Sequence, residues 1–296
     1  MKALLNLGLC LVLVAAPLGS AAIAAPKNVV EEPARTVAGG RAVQVLVAQA
    51  EIKSDINPSN IAVITGGGLL GGLLSAAQNA SRTKKAETAI EPLRSALTGF
   101  DADALALDTT KTALAETAWM QPAATGFSKD SSLLGKSAQL DAATAAQVAF
   151  IEYSYDVSPD FSSIRVVAKV EFANKAVPAA GTAKPESRLS PKNLAYAQSA
   201  TSIVTLPTPG ADLDANAAMW AADGGKVARA AIAQGFAEVG KLLPRTLALT
   251  AADIKTMSAK DKKKGVAGGF AGRIQESTGA QTLLWSGAFI DVRPVS

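Results

Sequence analysis

Two alternating segments in the middle of the chain constrain the fold most. From Gln147 to Val157, Ala149, Ile151, Tyr153 and Tyr155 fall on one side, and Val148, Phe150, Glu152 and Ser154 on the other. A period of two is that of a β-strand with one face on a core. Ser158-Pro159-Asp160-Phe161 forms a turn. After it Ile164, Val166, Ala168, Val170 and Phe172 line one face, with Arg165, Lys169 and Glu171 on the other. Two such runs joined by a short turn predict a half-buried antiparallel hairpin. Ala195 to Leu206, closed by Pro207 and Pro209, reads as a third strand of the group.

Helical spacing surrounds this β region. Ala86, Ile90, Leu93 and Leu97 share one face of a predicted helix over Arg82–Leu97, which Gly99 ends. Asp101 or Asp103 is placed to cap a second helix carrying Leu105, Leu107, Leu114 and Trp119. Asp212 to Leu243 is the longest helical stretch; Gly224-Gly225 is a point of breakage and Pro244 follows its end. Further strands are expected at Ala42–Ile52, Gly272–Ser277 and Gln281–Val292. Short turns join neighbouring strands, so the order predicts one α+β domain over residues 41–296, with a largely antiparallel sheet of about five or six strands and helices on one face.

The N-terminus gives an address. Lys2 is the only charge before Lys27, and an apolar core from Leu4 to Val14 leads to Ala22-Ile23-Ala24. A basic start, a short apolar core and an A-x-A end make a cleavable secretory signal over residues 1–24. Small side chains at Ala22 and Ala24 suit the peptidase pocket, and cleavage is expected before Ala25. The core is short for a membrane span. Leu9 before Cys10 does not suit a lipoprotein signal, and no Arg-Arg pair suggests twin-arginine export. A periplasmic location follows, with a flexible lead-in over residues 25–40.

Composition then excludes chemistry. The chain holds no histidine, and its one cysteine, Cys10, leaves with the signal. That removes Cys/His zinc sites, His- or Cys-held haem, Ser-His-Asp and Cys-His catalysis and disulfides. No cofactor is expected. Hydrophobic residues make up 49% of the chain, enough for a packed core. Net charge is +4, or +3 without Lys2, and the charges are mixed, so no nucleic-acid partner is expected. The densest basic run, Lys260-Asp261-Lys262-Lys263-Lys264, reads as a solvated loop, with contact to an anionic lipid or polyanion as its alternative.

Four motifs bear on function. Gly66-Gly67-Gly68-Leu69-Leu70-Gly71 fits G-x-G-x-x-G, but the second strand with its terminal acid is missing downstream, where residues 86–91 are helical in pattern. The same glycines make a smooth stripe: Gly68, Gly72, Ala76 and Ala80 recur every four residues, as do Gly67, Gly71 and Ser75. A buried loop and core helix explain the stripe; membrane insertion or self-association through Gly67, Gly68, Gly71, Gly72 and Ala76 is the competing reading. Ser81-Arg82-Thr83-Lys84 fits S-x-x-K, yet no S-D-N or K-T-G accompanies it, so Ser81 is expected to cap a helix. Glu152, Asp156 and Asp160 gather around the hairpin, where solvation on the surface is favoured over acid–base or calcium chemistry. Trp119, Trp220 and Trp285 are expected core anchors.

The expectation is an exported, non-enzymatic envelope protein with a binding or assembly role. Its partner would be an envelope protein or a membrane surface, and a homo-oligomer is compatible. The alternatives are a membrane-associated or oligomerising component that uses residues 61–80, and a periplasmic enzyme working through Ser/Lys or carboxylates.

Overall fold

The structure, a computed structural model, describes residues 28–54, 69–176 and 185–296. Along the chain come α1 (Glu32–Arg35), β1 (Arg41–Leu46), β2 (Lys53–Ser54), α2 (Leu69–Ala96), α3 (Ala102–Ala115), β3 (Ala124–Ser128) and α4 (Leu133–Ala142). The predicted hairpin follows as β4 (Gln147–Val157) and β5 (Ser163–Asn174). Then come β6 (Tyr196–Thr205), α5 (Leu213–Ala248), α6 (Ala251–Met257), β7 (Lys264–Ala267), β8 (Phe270–Thr278), β9 (Gln281–Trp285) and β10 (Phe289–Pro294).

The hairpin is the centre of a single sheet ordered β3-β1-β4-β5-β6-β10-β9-β8-β7, with β2 also on β4. Its front face carries Val43, Val45, Ile151, Tyr153, Val166, Ala168, Val170 and Phe172, all within the main core. Helices α2, α3 and α5 cover that face. Helices α3 and α5 start where short polar side chains can accept from free backbone N–H groups: Asp101 from Ala104 N and Asp212 from Ala215 N. On α2, Ala86, Ile90 and Leu93 are fully buried as the spacing predicts, and Gly99 takes φ +74° just beyond. Residues Ala222 to Gly225 interrupt α5, so the Gly224-Gly225 break is real. Trp220, on the N-terminal side of that break, is fully buried and donates from Nε1 to Phe161 O at 2.6 Å.

Helix α5 touches the sheet through a glycine. A Cβ on Gly235 would stand 2.5 Å from Val166 Cγ2. Gly235→Ala should therefore destabilise the protein by about 1–3 kcal/mol through overpacking, although alanine favours helix by about 1 kcal/mol. A denaturant melt checks this; a variant as stable as the parent would mean that the helix shifts freely on the sheet.

The sheet differs from expectation in size, direction and coverage. Among the described residues it has ten strands, not five or six. β1 is parallel to β3 and β4, β2 to β4, and β6 to β10, so the sheet is mixed rather than largely antiparallel. Parallel neighbours arise here because helical segments connect β2 to β4 and β6 to β10, returning the chain to the same end of the sheet. Helices are not confined to one face. Leu140 of α4, with Leu189 and Leu194, buries Ala42, Leu46, Val148, Phe150 and Ala173 on the back.

Smaller departures have local causes. The first strand stops at Leu46 instead of Ile52. The buried residues of α3 are Ala102, Ala106, Thr110, Ala113 and Leu114, so Leu105 and Leu107 lie at the edge of the packed face and Trp119 beyond the helix. Pro244 lies inside α5, which runs on to Ala248. The last region holds four strands rather than two. Trp220 and Trp285 are core residues, while Trp119 is half-buried beneath two guanidinium groups, Arg35 at 5.5 Å and Arg41 at 5.2 Å from its ring.

Arg41 anchors the N-terminal approach to the sheet. Its side chain is 4% exposed and lies over Phe172 at 4.6 Å as well as Trp119. It donates to Gln147 Oε1 at 2.6 Å, to Met120 Sδ at 3.2 Å and to Ala34 O in α1. Burial lowers its pKa to about 10.

Candidate functional site

The back of the sheet carries the polar residues of the hairpin. Pairing places Glu152 opposite Lys169, Ser154 opposite Val167, and Asp156 opposite Arg165; Ser199, Thr201 and Ile203 of β6 extend these rows. One end of this strip lies under α4. At the other end the β7–β8 turn comes close: a Cβ on Gly268 would be 3.0 Å from Ile203 Cγ2. Gly268 and Gly269 both have positive φ, which lets the turn lie flat there. Ala267, Phe270 and Ile274 pack on Ile203, Leu284, Ile290 and Val292 to hold it.

Under α4 the charges are paired around a buried lysine. Ser132 caps α4 by accepting from Gly135 N, and the helix presents Lys136 to the sheet. Lys136 Nζ lies 2.7 Å from Glu152 Oε2 and 3.0 Å from Glu171 Oε2, and Lys169 Nζ lies 2.5 Å from Glu171 Oε1. Burial acts to lower the Lys136 pKa, but Glu152 and Glu171 outweigh it and hold the ammonium above its usual range. Burial acts to raise Glu171, but Lys169 and Lys136 outweigh it and hold the carboxyl below its usual range.

Between the β4–β5 turn and the β7–β8 turn the strip opens into a cleft of about 510 Å³. Asp156, Arg165, Ser158, Asp160 and Ser162 line one side, and Gly268, Gly269, Phe270 and Ile203 the other. Arg165 Nη2 donates to Asp156 Oδ2 at 3.0 Å, its Nε lies 3.0 Å from Asp156 Oδ1, and its guanidinium lies 5.8 Å from the Phe270 ring centre. Asp160 Oδ1 accepts from Ser158 Oγ, Ser162 N and Ser162 Oγ at 2.7–3.1 Å. Burial acts to raise Asp160, but these hydrogen bonds outweigh it and keep the carboxylate low. Asn216 Nδ2 of α5 donates to Asp160 O at 2.8 Å and fixes the turn from the front side.

No family model, curated protein or solved structure matches this chain. The site must speak for itself.

The three acids singled out in the sequence share one region but not one centre. Each has its own partner: Glu152 has Lys136, Asp156 has Arg165, and Asp160 has the serines of its turn. The expectation of plain surface solvation gives way to ion pairing for Glu152 and Asp156. Carboxylates held by cations or hydroxyls fix geometry and offer hydrogen-bond acceptors. Among the described residues no group of three or more His, Cys, Asp or Glu could hold a metal ion.

Arg165, Lys136, Gly268 and Phe270 were not predicted as site residues. Arg165 was within reach, because a hairpin turning at Ser158–Phe161 sets it opposite Asp156. Lys136 and Phe270 come from distant elements, and no spacing rule brings them in.

The glycine stripe is only partly described. Ala22, Ala24, Ala25, Gly67 and Gly68 lie outside the described residues. Gly71, Gly72 and Ala76 lie in α2, which opens at Leu69. Ser81 is consequently inside that helix and not its cap. Among the described residues no helix is long and apolar enough to cross a membrane.

Proposed function

We propose that this chain is a non-enzymatic protein of the cell envelope, exported by its N-terminal signal, which works by binding a small polar ligand in the cleft between the β4–β5 and β7–β8 turns. The cleft itself carries the reading. It is concave, of a size that suits a small molecule, and mixes a flat apolar wall at Phe270 with converging hydroxyls and an ion pair. Because Asp156 and Arg165 neutralise each other, the site favours a ligand of little net charge that can both donate and accept hydrogen bonds.

The test uses the chain expressed with its native N-terminus and recovered by osmotic shock. The recovered protein should begin at Ala25. Screened by thermal shift against sugars, amino acids and similar neutral polar solutes, it should be stabilised by one class, by about 2.7 kcal/mol at a ligand concentration 100 times Kd. Ser162→Trp, which fills the cleft, and Arg165→Met, which removes its charge, should abolish the shift. Stabilisation that survives Ser162→Trp, or none across the solutes, would overturn the proposal.

A further inference from the structure

The lysine run has a place in the fold that the cleft does not explain. It runs from the loop after α6 into the first residue of β7 and is folded back onto β8. Arg273 Nη1 donates to Lys262 O at 3.0 Å and to Lys260 O at 3.4 Å, and Ile274 N donates to Lys263 O at 2.9 Å. These bonds gather five cations, Lys260, Lys262, Lys263, Lys264 and Arg273, onto one edge of the sheet. Asp261 is the only acid in the run. Nearby acids are engaged elsewhere: Asp253 closes a capping box with Thr250, and Glu276 pairs with Arg245 at 2.8 Å. Among the described residues none of the five cations has a carboxylate within ion-pair distance.

The strand register sharpens this charge imbalance. Lys264 stands directly opposite Arg273 in the antiparallel pair of β7 with β8. Like charges facing each other across strands are destabilising, and an external anion relieves them. Val266 lies on the same face as Lys264, paired with exposed Ala271. It is 74% exposed, more than any other exposed large hydrophobic residue of the described chain. Among the described residues β7 ends the sheet, and no further strand covers this edge. A shallow hollow of about 490 Å³, with Lys264, Val266 and Arg273 on its rim and Trp285 at its base, marks the same face.

We infer that this edge, Lys260 to Arg273, is a docking surface for an anionic phospholipid membrane. Cations alone would suit any polyanion. An exposed valine among them gains only where an apolar layer lies behind the negative charges, as in a phospholipid interface. Neither feature suffices alone, since stable interfacial binding combines charge with apolar contact. The cleft shares the β7–β8 turn with this edge but opens on the back of the sheet, whereas Lys264, Val266 and Arg273 share the side of Trp285, so the inference does not rest on the cleft.

The experiment sediments the processed chain with vesicles of phosphatidylcholine alone or with about a quarter phosphatidylglycerol, at low salt. Binding should require phosphatidylglycerol and fall as salt rises. The variant Lys262→Gln, Lys263→Gln, Lys264→Gln should bind the anionic vesicles on the order of 100-fold more weakly, from about five-fold per charge. It should melt no lower than the parent, because it removes repulsion; Lys263→Gln alone, an exposed loop change, repeats the test should the triple variant misfold. Val266→Ser should weaken vesicle binding while leaving binding to soluble dextran sulfate unchanged. Equal binding to both vesicle types, or lysine variants that bind like the parent, would overturn the inference. So would an indifferent Val266→Ser, which would point to a soluble polyanion instead.

Discussion

Replacing Lys136 with alanine should destabilise this protein by about 3 kcal/mol at neutral pH, near the lower end of what breaking a buried ion pair costs. Lys136 is 5% exposed and stands between Glu152 and Glu171. Without it two carboxylates remain under α4. Glu171 keeps Lys169 at 2.5 Å, which is why the upper end of the range is not expected. The loss should come from stranded charge rather than from lost attraction. Changing all three groups together, Lys136→Met, Glu152→Gln and Glu171→Leu, should therefore recover most of it.

The pH dependence separates stranded charge from simple loss of packing. In the parent, Glu171 has a folded pKa below its unfolded one. Its contribution is fully present above the unfolded carboxylate value and is lost as pH falls through the folded one. In the variant, protonation relieves the stranded carboxylates instead. The stability gap between parent and Lys136→Ala should thus narrow as the pH drops below about 4.5. Urea melts at neutral and acid pH measure it. A gap that is constant with pH would mean that only the packing of the lysine stem was lost.

The same cluster shows where sequence reasoning reaches and where it stops. The hairpin was legible because β4 and β5 alternate over most of their length. Val148 and Phe150, on the side otherwise occupied by Glu152 and Ser154, were a readable sign that part of the back face is covered. What covers it was not readable: α4 is short, and Lys136 sits among few apolar neighbours. β3 was missed because Ala-Thr-Gly-Phe-Ser has little of the β-branched character of a strand. β7 and the start of β8 were missed for a related reason, since Gly265, Gly268, Gly269 and Gly272 interrupt the alternation. Parallel pairings such as β6 with β10 join segments far apart in sequence, and no local period encodes them. The candidate cleft inherits this limit. Its Asp156–Arg165 wall follows from hairpin register, whereas its Gly268–Phe270 wall depends on how the last strands curl back.

Titration of the tyrosines should show a cooperative step, with no independent ionisation near pH 10. All three tyrosines of the chain, Tyr153, Tyr155 and Tyr196, are buried. Tyr153 shares a 2.9 Å hydrogen bond with Thr110 Oγ1, and Tyr196 donates to Thr246 O at 3.2 Å. Burial raises all three phenols above the usual 10, Tyr155 to about 12 with help from the nearby Asp103 carboxylate. A phenol whose folded pKa lies above its unfolded one contributes stability that is full below the unfolded value and is lost as pH rises past it. Each tyrosine therefore makes unfolding easier with every step of alkali beyond pH 10, while none ionises in the intact fold there. Absorbance at 295 nm should stay flat through pH 10 and then rise for all three rings together as the helices melt by circular dichroism. Thr110→Val should leave that shape intact, since burial and not the hydroxyl sets the Tyr153 shift. A phenolate signal worth even one tyrosine at pH 10, with helicity unchanged, would show that the α5 face of the sheet admits water.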